Sequence, residues 1–118
     1  MVRVYDDVET GDRPSFLVER LWPRGVRRGA LAGSEWLRDV APSHELRKWF
    51  GHDPGKWDEF RRRYFAGLDD DPEVWQPLAD AAATGDIILL YSSRDALHNN
   101  AVALREYLLA RLDEGRAR

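Results

Sequence analysis

No cysteine occurs among the 118 residues. Disulfides, thiolate metal centres, iron–sulfur clusters and a cysteine nucleophile are therefore excluded together. Positive charge is not in excess either: 18 Lys and Arg stand against 21 Asp and Glu, a formal net charge of -3. A protein that coats polyanions is ordinarily basic, so the bulk charge argues against nucleic acid as the main partner. No apolar run approaches the roughly 18 residues of a membrane span, and Met1-Val2-Arg3-Val4-Tyr5-Asp6 lacks the form of a signal peptide. The expectation is a cytoplasmic protein with no membrane partner. Internal repeats, low-complexity tracts and linkers are missing as well.

What is present suffices for a core. Hydrophobic residues make up 43% and aromatics 11%, with five Trp. A chain of this length fits one compact domain, spanning 1–118.

Val2 to Tyr5, β-branched and aromatic, reads as a first strand, and the acidic stretch Asp6 to Pro14 as a loop. Phe16, Leu17, Val18 and Leu21 form a second strand-like run that stops at Pro23. Trp36 to Val40 fits either a short strand or a helical turn, and is taken as a strand. Ser43 is a natural N-cap, with Glu45 in the first turn and Gly51 placed to end a helix. Asp53-Pro54 opens the next one, in which Trp57, Phe60, Tyr64 and Leu68 share a face. Asp71-Pro72 predicts a short turn through Trp75, with a further helix from Pro77 to Gly85. Ile87 to Tyr91 is apolar on both faces, as a central covered strand should be. From Asn99, the spacing of Ala101, Leu104, Leu108 and Leu112 predicts a last helix. The predicted fold is α/β: a small, mostly parallel sheet covered by helices in a Rossmann-like three-layer arrangement.

Three segments could carry chemistry. Arg20-Leu21-Trp22-Pro23-Arg24-Gly25-Val26-Arg27-Arg28 holds four arginines and no acid. Guanidinium forks bind carboxylate or phosphate bidentately, and Trp22 offers a face for stacking. A solvated basic loop paired with acidic loops would look the same. In the second segment, Ser43 opens a helix with Arg47 one turn in, and His52 adjoins Asp53 as a candidate acid or base. A histidine near a helix C-terminus also gains from the dipole without any other role. The third, Leu89 to Asp95, leaves the central strand with Tyr91, Ser92 and Ser93 and leads to Asn99 and Asn100. Ligands bind outside the carboxyl ends of parallel strands, so this position is informative where turn and N-cap residues alone are not. The phosphate-loop, dinucleotide, nucleophile-elbow and zinc-protease motifs are all absent. His44, His52 and His98 are the only imidazoles and none pairs at ligand spacing, which argues against a protein-built metal site.

Together, Arg20-Leu21-Trp22-Pro23-Arg24-Gly25, Trp36, Ala41-Pro42-Ser43, Leu46-Arg47-Lys48-Trp49-Phe50 and His52-Asp53 resemble the YeaO-like family. That family lies within the group catalogued as domain of unknown function 488. The resemblance continues through Trp57, Phe60, Tyr64, Leu89-Leu90-Tyr91 and Asn99, and spans essentially the whole chain. It implies a compact α/β domain and carries over Arg20, Trp22, Arg24, Ser43, Arg47, His52, Tyr91 and Asn99 as matching positions. Longer relatives have Cys-His-Arg where this chain has Asn99-Asn100-Ala101, so that element's thiol is absent here.

The leading expectation is a binder, or transformer, of a small anionic or nucleotide-like ligand. Arg20, Trp22, Arg24, Ser43, Arg47, Ser92 and Asn99 would hold it, and His52 or Tyr91 would move a proton. The alternative is a non-catalytic nucleic-acid or protein-binding module using the 20–28 loop. A third is a haem or metal binder using His52 or His44 alone. Substrate, cofactor, turnover and oligomeric state are open at this stage.

Overall fold

The computed structural model describes residues 1–5 and 11–116. Four strands form one sheet in the order β1-β4-β2-β3, every pair parallel: β1 (Val2–Arg3), β2 (Ser15–Leu17), β3 (Glu35–Trp36) and β4 (Ile88–Tyr91). β4 lies inside the sheet, with Leu90 opposite both Val2 and Leu17. All four of its residues are buried, which accounts for its unbroken apolar run. The loop read over Asp6 to Pro14 lies outside the described residues through Thr10.

Strand alternation divides the interior. Phe16, Val18, Leu89 and Tyr91 face a large core built with α1 (His44–Phe50), α2 (Trp57–Asp70), α3 (Gln76–Thr84) and α4 (Asn100–Arg116). Val4, Leu17, Ile88 and Leu90 face the other way into a small core closed by Leu31. Trp22, Val26 and Trp36 pack against it. The third layer is thus an irregular segment with one 3-10 turn at Arg28–Leu31, while all four α-helices lie on the opposite face. Trp22 donates its indole N–H to the Val26 carbonyl, and its ring meets Trp36 edge-on at 5.4 Å. Arg28 lies 4.2 Å from the Trp22 ring centre. Aromatic faces and a turn do here what a helix would do elsewhere.

The helix signals act locally as expected. Ser43 Oγ accepts from Leu46 N, and Gly51 closes α1 at φ 55°, where a side chain would be strained. Asp53 caps the 3-10 turn Pro54–Lys56 that leads into α2. Phe60, Tyr64 and Leu68 are buried and Trp57 half-buried. Pro72–Val74 forms the expected turn before α3.

One expected strand divides. Only Glu35–Trp36 pairs with β2, and Leu37 N donates the last ladder bond to Leu17 O at 2.9 Å. Arg38–Val40 then coils into a 3-10 turn. The turn buries Val40 and delivers its carbonyl to the Tyr64 hydroxyl. A tertiary hydrogen bond from α2 thereby outweighs continuation of an edge strand.

Candidate functional site

The chain leaves β2 and β4 side by side. Val18 N donates to Leu90 O, so Glu19 and Ser92 are neighbours at the carboxyl edge of the sheet. Glu19 is only 6% exposed, and its Oε1 accepts from Ser92 N at 2.8 Å and Ser92 Oγ at 3.0 Å. Above this edge opens a cleft of ≈ 800 Å³. α1 contributes His44, Arg47, Lys48 and Phe50, and His52 follows it; the loop after β4 contributes Ser92 to Asp95, His98 and Asn99. Phe60 of α2 and Leu21 add apolar surface. Such a place, outside the carboxyl ends of parallel strands, is where α/β sheets receive ligands.

Its charges are unevenly satisfied. Asp95 accepts from Leu97 N at 2.9 Å and His98 N at 3.0 Å, and pairs with His98 Nδ1 at 3.0 Å. The Leu97 amide above all holds the Asp95 carboxyl below its ordinary range, helped by the contacts from His98 and opposed by desolvation. His98 also meets Trp57 edge-on at 5.3 Å. Arg47, Lys48 and Arg94, in contrast, have no ion pair among the described residues. All three histidines of the chain, His44, His52 and His98, line the same cleft. His52 does so at φ 57°, a left-handed conformation uncommon for a residue with a side chain.

The residues singled out by sequence fall into two groups. Arg47, His52, Ser92 and Asn99 come together at the cleft. Arg20, Trp22, Arg24, Ser43 and Tyr91 are not in its lining. Arg20 clamps the approach to α1, donating from Nε to Pro42 O at 3.1 Å and from Nη2 to Ala41 O at 2.9 Å. Trp22 belongs to the small core on the opposite face. The Arg24 carbonyl accepts from the Tyr5 hydroxyl at 2.7 Å, while its side chain is exposed. Ser43 caps α1, and Tyr91 is buried against the helices. Asn99, although at the cleft, is engaged at both ends of its amide: Oδ1 accepts from Val102 N and Nδ2 donates to Asp95 O. Val4 N donates to Tyr91 O and Arg3 Nε to Ser93 O, so β1 and β4 end side by side, and the Tyr5–Arg24 contact brings the 20–28 loop to that edge. None of residues 24–28 lines the cleft.

Glu19, Lys48, Arg94, Asp95 and His98 were not selected by sequence. For Glu19 a signal existed: it is an isolated acid ending an apolar strand, where a buried carboxylate needs a reason. Among the described residues, no three His, Cys, Asp or Glu side chains are grouped so as to hold a metal ion. No helix among them is long and apolar enough to cross a membrane.

Sheet, helices and cleft define a small parallel α/β protein with a cation-bearing cleft at the carboxyl edge of its strands. The family described as the inactive DUF488-N3 subclade matches residues 1–118, and the chain belongs to that family. It is similar to the uncharacterized protein YeaO of Escherichia coli (strain K12), 40% identical over 106 residues, covering 90% of this chain and 92% of the relative. The uncharacterized protein Rv3073c of Mycobacterium tuberculosis (strain ATCC 25618 / H37Rv) is 33% identical over 111 residues, covering 94% and 93%. No solved structure matches.

Proposed function

We propose that this protein binds a small organic anion in the cleft and does not transform it. The observation that carries this reading is that Arg47, Lys48 and Arg94 line one cleft and form no ion pair among the described residues, in a chain of net charge -3. Like charges brought together are costly unless an anion sits between them. Three imidazoles add donors, and Phe50, Phe60 and Leu21 offer an apolar surface to the ligand's carbon skeleton. The word "inactive" in the family's description favours retention over turnover. The arginines of the 20–28 loop contribute no side chain to the lining, so they are not needed for this role.

The test is thermal unfolding and calorimetric titration with phosphate, sulfate and a nucleoside monophosphate. A ligand that binds only the folded chain raises its melting temperature by mass action. The wild type and Arg24→Ala should respond alike, and Arg47→Ala and Lys48→Ala should respond weakly. A wild type indifferent to all three probes, or equal responses from every variant, would overturn the reading.

A further inference from the structure

We infer that the ligand is a zwitterion, an organic anion that also carries a protonated amine, and that Glu19 receives the amine. This rests on the anion-binding reading above and adds the second pole. Glu19 has two carboxylate oxygens, and Oε1 is occupied by Ser92 N and Oγ. Oε2 has no hydrogen-bond partner among the described residues. No fully buried side-chain oxygen among them lacks a partner, so Oε2 keeps some exposed surface, and the residue lines the cleft. Glu19, a residue only 6% exposed, thus stands at the cleft with one carboxylate oxygen free of partners among the described residues.

Arg20, the next residue, gives its guanidinium to the carbonyls of Ala41 and Pro42. No Lys, Arg or His forms an ion pair with Glu19 among the described residues. Ionised groups taken out of water are normally paired. A neutral hydroxyl would satisfy the hydrogen bond but leave the charge uncompensated; an ammonium supplies both. Asn100 adds a nearby acceptor, because its Nδ2 donates to the Val18 carbonyl and its Oδ1 has no partner among the described residues. The cleft therefore carries the cations Arg47 and Lys48 on α1 and Arg94 after β4, and acceptors at the ends of β2 and β4. A zwitterion with an apolar middle complements both sets, and a plain anion complements one.

Three matched ligand series separate the possibilities: alkyl phosphates, ω-hydroxyalkyl phosphates and ω-aminoalkyl phosphates, from ethyl to hexyl, titrated calorimetrically at constant ionic strength. At the chain length that spans the cleft, the amine should bind at least about tenfold tighter than both matched partners, or ~1.4 kcal/mol. Glu19→Gln keeps an acceptor for Ser92 and should erase that advantage, so that the matched amine and hydroxyl phosphates bind the variant alike. Equal affinity across the series at every length overturns the zwitterion assignment while leaving anion binding intact. Hydroxyl and amine series that gain equally overturn the need for charge. An amine advantage that persists in Glu19→Gln overturns the role of Glu19. If no phosphate of any series binds, both readings fall.

Discussion

Tyr64 shows how one hydroxyl fixes a junction that the local sequence leaves open. It is buried in α2 and donates to the Val40 carbonyl, which anchors the 3-10 turn after β3. Burial raises its pKa above the ordinary tyrosine value, and the carboxylate of Glu19 adds to the effect. The sign follows from linkage. A raised folded pKa means that the unfolded chain loses this proton first, so the stabilisation is complete below about pH 10 and falls as pH rises beyond it. Tyr107 acts in the same direction, pushed up to about 12 by burial and by its bond to Asp69. Tyr64→Phe should lose about 1–2 kcal/mol at neutral pH, because the Val40 carbonyl loses its donor. It should also show a shallower decline between neutral and alkaline pH. Urea midpoints at both pH values check this, and a variant with the wild-type slope would show that Tyr64 is not the group responsible.

Among the elements, α2 was the most legible in sequence, because one physical requirement dictates its pattern. Phe60, Tyr64 and Leu68 must meet the core, and helical geometry spaces them by three or four. Phe60 is 2% exposed and lies 4.5 Å from the Phe50 ring and 5.6 Å from that of Trp57. Phe60→Ala should cost roughly 3–5 kcal/mol, whereas Phe60→Leu should recover most of it. Chemical denaturation measures both, and an Ala variant within experimental error of wild type would mean that this face is not core. β4 was legible for a related reason, since burial on both faces demands an unbroken apolar run. The stretch from Trp36 to Val40 was not, because its ending depends on a hydroxyl brought in from α2. Arginine-rich loops mislead in a further way. Residue type cannot distinguish an arginine that binds ligand from Arg20, whose fork fastens two backbone carbonyls, or from Arg28, which lies over Trp22.

Across the whole molecule, the cleft exists only because distant segments meet. Glu19 touches Ser92 across 73 residues of sequence, and Arg47 arrives from a helix between them. Local motifs announced α1 and the exit from β4, and Arg47, His52, Ser92 and Asn99 from those segments line the cleft. Nothing local couples Glu19 to that exit; only the parallel pairing of β2 with β4 does. The same architecture divides stability unequally. One face of the sheet is sealed by four α-helices, and the other by Leu31 with half-buried Trp22, Val26 and Trp36. The amides of Val26, Ala30, Ala32 and Ser34 donate only within that thin layer, to carbonyls three residues back. Few buried contacts oppose its opening, so these amides should exchange hydrogen by local opening, while those of α2, α4 and β4 wait for global unfolding. Native-state exchange followed by NMR should separate the two groups by on the order of a hundredfold in rate, a difference that denaturant narrows. Because the cleft lies on the helix-bearing side, a bound anion should slow exchange in α1 and the loop after β4 and leave Val26 to Ser34 unchanged. Uniform exchange across all these amides would mean that the thin layer and the helical layer open as one unit.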